Sequence, residues 1–181
     1  MRFMIASDIH GSYYYAQKLI ERLNEFGAEK LILLGDILYH GPRNDLPKDY
    51  APKKVSALLN EYADKILCVR GNCEAEVDQM MLNFPVLGEY AYLYLNGVTV
   101  YATHGHHASE AAPPPIKNNE ILLCGHTHVP KCTHNEGFVY MNPGSVSIPK
   151  EGSAHSFILF EDGVFKWFDL ETNEVYKEYR A

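Results

Sequence analysis

Long apolar runs are missing from this chain. Nothing in its 181 residues approaches the ~18 consecutive apolar residues of a membrane-spanning helix, so no membrane partner is expected. The opening stretch MRFMIASDIHG holds only a short apolar run, ends in Asp8 and His10, and shows no signal-peptide cleavage pattern, so a cytoplasmic protein is expected. Cysteine is scarce. The four, at 68, 73, 124 and 132, are too few and too scattered for a disulfide framework in a chain this long. Positive charge is short as well: the net charge is −7 and no Lys/Arg stripe is visible, which makes nucleic acid an unlikely main partner. An acidic chain acting on an anionic substrate needs local positive charge, and bound metal is one source of it. There is no internal repeat.

What is present reads as a globular chain. Apolar residues make up 46%, and the length suits one domain over residues 1–181. RFMIAS, KLILLGD and ILCVRGN read as buried strands. Between and after them SYYYAQKLIERLNEFG, PKKVSALLNEYADK and EAEVDQMMLNF read as helices, the first with Ala16, Leu19, Ile20, Leu23 and Phe26 at helical spacing and Gly27 as its stop. That alternation indicates βαβ units on a mostly parallel sheet. After Pro85, strand signals alternate around the hairpin turns Asn96-Gly97 and Asp162-Gly163, indicating an antiparallel second half. Two stacked sheets with helices outside are expected.

Polar residues fall just after the apolar runs: Asp8 and His10, Asp36, Asn72, His104, and His126 with His128. The carboxyl ends of strands in an α/β sheet form the usual ligand-binding rim. Singly, each has a plain reading as a helix cap, a turn former or a surface histidine. Seven oxygen and nitrogen donors, each following a strand, point to a metal centre. In DIH and HTH the donors are two apart, so in an extended segment each pair shares a face. The stretch ILLCGHTHVPKC also offers Cys124 and Cys132 as ligands of one closed zinc site. Cys124 sits back inside the apolar run and Cys132 lies beyond Pro130, so the two histidines are the expected ligands and the cysteines are expected to pack.

DIHG, GD, GNCE, THGH and GHTH, in that order and spacing, resemble the calcineurin-like metallophosphoesterase superfamily, and in particular its small stand-alone prokaryotic phosphodiesterases. HGPRN and NPGSVSIPK add to the likeness, which covers residues 3 to about 150. The resemblance implies an α/β fold, a four-layer α/β/β/α sandwich of two mixed sheets flanked by helices. It also implies a binuclear centre with Asp8, His10 and His128 on one metal, Asn72, His104 and His126 on the other, and Asp36 bridging. The donor set has no thiolate, so two divalent ions are expected, manganese first and zinc or iron as alternatives. The implied activity is hydrolysis of a small phosphate diester by in-line attack of water held at the metal pair.

Arg43, in the loop after Asp36, is the candidate phosphate clamp; a surface pair with Asp45 is its plain alternative. Asn44 is a candidate to help hold the ester, and Tyr39 and His40 to line the entrance. Cys73 stands where many members of the family carry histidine to assist the leaving oxygen. A thiol is a poor general acid there, which biases the expectation towards diesters or aryl esters. His106 is the candidate to replace that histidine, with a surface role as its alternative. The competing functions are a non-catalytic scaffold that keeps the fold, a phosphomonoesterase, and a nuclease or protein phosphatase. The tyrosine-rich EYAYLYL leaves a second copy of the chain open as a partner, alongside packing in the core.

Overall fold

A computed structural model describes residues 1–117 and 120–181. The first strand, β1 (Arg2–Ala6), leads into α1 (Tyr13–Glu25), whose start is fixed by the Ser12 side chain accepting from the Tyr15 amide. Tyr15, Ala16, Leu19, Ile20 and Leu23 form its buried face, while Phe26 falls at the C-cap. Then come β2 (Lys30–Leu33), α2 (Pro52–Asn60) with its proline in the first turn, β3 (Ile66–Cys68) and the short α3 (Glu76–Met81). The rest is strand and loop: β4 (Tyr90–Leu95), β5 (Val98–Thr103), β6 (Glu120–Leu123), β7 (Lys131–Asn135), β8 (Phe138–Asn142), β9 (Ser156–Glu161), β10 (Val164–Asp169) and β11 (Val175–Arg180).

These strands build two mixed sheets, β11-β10-β9-β1-β2-β3 and β4-β5-β6-β8-β7. The expected hairpins form: β4 pairs β5 around Asn96-Gly97, and β9 pairs β10 around Asp162-Gly163. All four turn residues have positive φ, as a tight hairpin turn requires. The expectation of an antiparallel second half needs correction at one place, and the sheets divide the strands in a way the sequence did not indicate. β5, β6 and β8 run parallel at the centre of the second sheet. The last three strands return to the first sheet, where β9 lies antiparallel to β1. Hairpin signals are local, whereas the sheet a hairpin joins is decided by long-range burial.

One core lies between the sheets, with Ile5, Ile32, Val100, Val139, Phe160 and Trp167 among its residues. A second joins the outer face of the first sheet to the helices through Met4, Leu19, Leu31, Val55 and Phe157. On the outer face of the second sheet, Leu122, Cys124, Phe138 and Tyr140 are covered in part by Tyr101 and Ile116. Two mixed sheets stacked face to face, with helices over the first, are consistent with the four-layer sandwich plan. No helix among the described residues is long and apolar enough to cross a membrane. The parallel strands of both sheets end at one rim, and the seven donors lie there.

Candidate metal centre

The first sheet brings Asp8 and His10 after β1, Asp36 after β2 and Asn72 after β3; the second brings His104 after β5 and His126 with His128 after β6. All seven converge. His128 Nε2 lies 3.3 Å from Asp8 Oδ1 and 3.3 Å from His10 Nε2. His104 Nε2 lies 3.1 Å from Asn72 Oδ1 and 3.2 Å from His126 Nδ1. Asp36 Oδ2 stands between the two groups, 3.6 Å from His10 Nε2 and 3.5 Å from His104 Nε2. The HTH pair therefore divides, His126 turning to one group and His128 to the other.

The route to convergence differs from the shared-face argument. β1 ends at Ala6 and β6 at Leu123, before the donors. Asp8, His10, Asp36, His126 and His128 all have φ between 49° and 66°, in the left-handed region. Aspartate and histidine tolerate that region better than most residues, and such strain concentrates at functional sites. Two glycines let the loops approach closely. A Cβ on Gly71 would strike the Asp36 carboxylate, and one on Gly125 would strike the Ser7 hydroxyl.

The hydrogen bonds behind the rings set which ring nitrogens face inward. His10 Nδ1 donates to the Tyr39 carbonyl at 2.7 Å, His128 Nδ1 to Ile148 at 2.6 Å, and His104 Nδ1 to Leu34 at 2.6 Å. With each Nδ1 carrying its proton outward, the neutral tautomer leaves every Nε2 lone pair facing inward. Inward-facing lone pairs therefore meet carboxylate oxygens and each other. Asp8 Oδ1 is buried with no hydrogen-bond partner. Acceptors crowded in this way repel unless a cation lies among them. The residues fit divalent metal.

Without metal, protons take that place. Burial works against a charge on His104, but contact with Asp36 and the field of Asp8 outweigh it and raise the ring to about 9. His10 is raised against burial by Asp8. Burial opposes the charge on Asp8 too, yet His10 and His128 hold it well below the usual carboxylate range, and His104 does the same for Asp36. Burial and the charge of His104 push His126 down.

A cavity of about 280 Å³ opens above the cluster, with Asp36, Asn72, His126 and His128 on its floor and Arg43, Asn44, Cys73 and Lys150 on its walls. Among the described residues Arg43 forms no ion pair with Asp45, and Asn44 Nδ2 donates to the His40 carbonyl at 2.8 Å. The Cys73 amide donates to Asp36 Oδ1 at 2.9 Å, and burial followed by the Asp36 charge pushes its thiol up. His106 lies behind the cluster, 5.4 Å from His104 between ring centroids, and does not line the cavity. Burial and repulsion by His104 and His107 lower it to about 4. Cys124 is buried and Cys132 packs into the core between the sheets, as expected.

Residue patterns alone did not reveal three supports. Glu74 is buried and accepts from the amides of Asp36 (2.8 Å), Ile37 (2.7 Å) and Gly71 (2.5 Å), tying the loops after β2 and β3 together. Burial and the Asp36 charge raise it to about 7. Ser145 and Ser147 both donate to the Asp8 carbonyl, at 2.8 and 3.1 Å, and Asn142 Nδ2 donates to the Gly125 carbonyl at 2.7 Å. The NPGSVS stretch thus braces ligand loops of both sheets. Lys150, at the end of that stretch, adds a second cation to the cavity wall. All of these residues lie within the GNCE and NPGSVSIPK stretches, where residue type assigned them no separate role.

Seven oxygen and nitrogen donors gathered at one rim over two packed mixed sheets form a cluster suited to divalent metal in an α/β protein. A sequence model of the calcineurin-like phosphoesterase superfamily domain matches residues 1–162, and the chain belongs to that superfamily. It is 42% identical to phosphodiesterase YfcE of Escherichia coli K12 over 175 residues, 97% of this chain and 95% of that protein. The solved structure of E. coli YfcE, described as a phosphoesterase, superposes with a TM-score of 0.96 at 40% identity, covering 99% of both chains. Vacuolar protein sorting 29 from Cryptosporidium parvum shares the fold at a TM-score of 0.66 and 16% identity, over 99% of this chain and 98% of that one.

Proposed function

We propose that the chain is a single-domain, cytoplasmic, metal-dependent phosphodiesterase. In this reading Asp8, His10 and His128 hold one divalent cation, Asn72, His104 and His126 hold a second, and Asp36 is shared. Manganese is the first choice, with zinc or iron as alternatives, because every donor is oxygen or imidazole nitrogen. The observation that carries the reading is the acceptor-only cluster, in which a partnerless Asp8 Oδ1 faces inward lone pairs and Asp36 Oδ2 faces both groups. The similarity to YfcE supports the diester as substrate, and the four unpaired cysteines suit a reducing compartment.

When bound, the two cations supply Lewis-acid charge to the phosphoryl oxygens and an acidified water at neutral pH. The chain's own residues do the rest. The carbonyls of Tyr39, Leu34 and Ile148 fix the tautomers of three rings, so that each presents a lone pair without reorganising. Arg43 offers a fork of N–H donors and Lys150 a point charge, which together hold a phosphoryl group at the cavity mouth. Asn44 is steadied by its bond to the His40 carbonyl and adds a neutral donor. Cys73 contributes a small wall that gives little help to a basic leaving group, which favours diesters with good leaving groups.

The test is to strip the protein with chelator, confirm that its fold survives, and assay bis(p-nitrophenyl) phosphate before and after adding manganese. Activity should vanish on stripping and return with manganese, and p-nitrophenyl monoester should turn over more slowly than the diester. A stripped protein that binds two equivalents of metal yet never hydrolyses either ester would point to a scaffold.

A further inference from the structure

A second concavity adjoins the metal site. It holds about 390 Å³ between the loop after β2, the start of α2 and α3, and its walls include Tyr39, Tyr50, Pro52, Val77 and Met81. Cys73 lines both this groove and the cavity over the metal ligands, so the two spaces meet at its thiol. Tyr39, on the groove wall, accepts from His10 Nδ1 through its carbonyl and so ties the groove to the donor cluster. The groove leaves large apolar side chains in water: Tyr39 is 42% exposed, Val77 60% and Met81 42%.

We infer that this groove binds one ester arm of the substrate and selects an apolar arm, aromatic or short alkyl, over a sugar. The inference rests on the diesterase reading and adds the chemistry of the arm. Two observations set that chemistry. First, the volume suits a ring or a short chain, and a pocket with apolar walls derives its affinity from the area it removes from water. Second, the short polar side chains of the groove, Asp78 and Ser56, are already engaged, which leaves Lys53 and the hydroxyls of Tyr39 and Tyr50 as its remaining polar groups. Asp78 accepts from the Ala75 amide at 2.7 Å, and Ser56 Oγ donates to the Lys53 carbonyl at 3.0 Å. A ribose placed there would lose water from its hydroxyls and gain few partners, which is unfavourable. An aryl ring loses nothing of that kind. Cys73 fits the same picture as the low wall between phosphate and arm, since a thiol packs as a small apolar group.

The probes are phosphonates, which bind without turnover. The manganese-loaded full chain is titrated by calorimetry with methylphosphonate, phenylphosphonate and a nucleoside 5′-monophosphate. Phenylphosphonate should bind roughly tenfold tighter than methylphosphonate, the gain expected from burying one face of a ring, and the nucleotide should not exceed it. In the double variant Val77→Ser, Met81→Ser, both at solvent-exposed positions of α3, the phenyl-to-methyl ratio should fall to within about twofold. Melting curves check that the variant is folded. Equal affinity for the two phosphonates, a ratio unchanged in the double variant, or preference for the nucleotide would each overturn the groove assignment while leaving the phosphate site in place. Failure of all three probes to bind the metal-loaded protein would overturn the diesterase reading, and the groove assignment with it.

Discussion

The two sheets contribute unlike chemistry to one site. The rim of the first supplies Asp8, Asp36, Asn72 and one imidazole, His10, whereas the rim of the second supplies only imidazoles, His104, His126 and His128. All the negative charge comes from one sheet and most of the nitrogen from the other. Three short contacts run across the gap: Asp8 to His128, Asp36 to His104 and Asn72 to His104. Two of the clusters suited to a cation, Asp8–His10–His128 and Asp8–Asp36–His104, draw on both sheets, so stacking of the sandwich completes them. Bound metal should in turn fasten the sheets together, since a ligand that binds only the folded form stabilises it.

The sharpest way to break this division of labour is at Asp36, which faces both halves. Asp36→Asn keeps the shape and removes the charge, and should lower diesterase kcat/KM by more than roughly 10³-fold with loss of both metal equivalents. His126→Asn touches one group only and should leave one equivalent bound, as metal analysis after dialysis would read. A smaller effect is expected at the brace between the sheets. Removing both hydroxyls with Ser145→Ala, Ser147→Ala frees the Asp8 carbonyl and should weaken metal affinity about 10- to 100-fold, with secondary structure unchanged by circular dichroism.

The smallest expected effect is on the metal-free protein and is read as a pH slope. His104 has a folded value of about 9, above the ordinary 6.5, so its stabilising share is full below 6.5 and is lost as pH rises through about 9. Glu74, raised to about 7 from 4.5, acts in the same direction at lower pH. Metal-free melting temperature should therefore decline between pH 6 and 9. The stabilisation gained on adding manganese should grow over the same interval, because the cation displaces the ring proton. A metal-free protein whose stability rises with pH would contradict the first sheet's carboxylates as the source of that charge.

Much of this was legible in the sequence because it depends on order along the chain. Apolar runs ending in Asp8, Asp36, Asn72, His104 and His126 announced both the strands and the rim, and Asn96-Gly97 and Asp162-Gly163 announced their hairpins. The return of β9–β11 to the first sheet was hidden, since Phe157, Phe160 and Trp167 are apolar enough to pack in either sheet. Glu74, Ser145 and Ser147 were hidden for another reason. They lie within GNCE and NPGSVSIPK, but their partners are backbone amides and carbonyls, which every residue carries, so their bracing role could not be read from residue types. The donors of DIH and HTH do gather at the rim, but left-handed turns after β1 and β6 bring them there where an extended segment was expected.

Those turns affect how the rim can be dissected. At Asp8, His10, Asp36, His126 and His128 an alanine would delete a ligand and also install a methyl-bearing residue in a conformation that it adopts reluctantly. An alanine scan there would mix folding penalty with metal loss and overstate the latter. Asparagine tolerates that backbone and glycine is at ease in it, so paired Asn and Gly replacements would separate the donor atom's share from that of the bend beneath it.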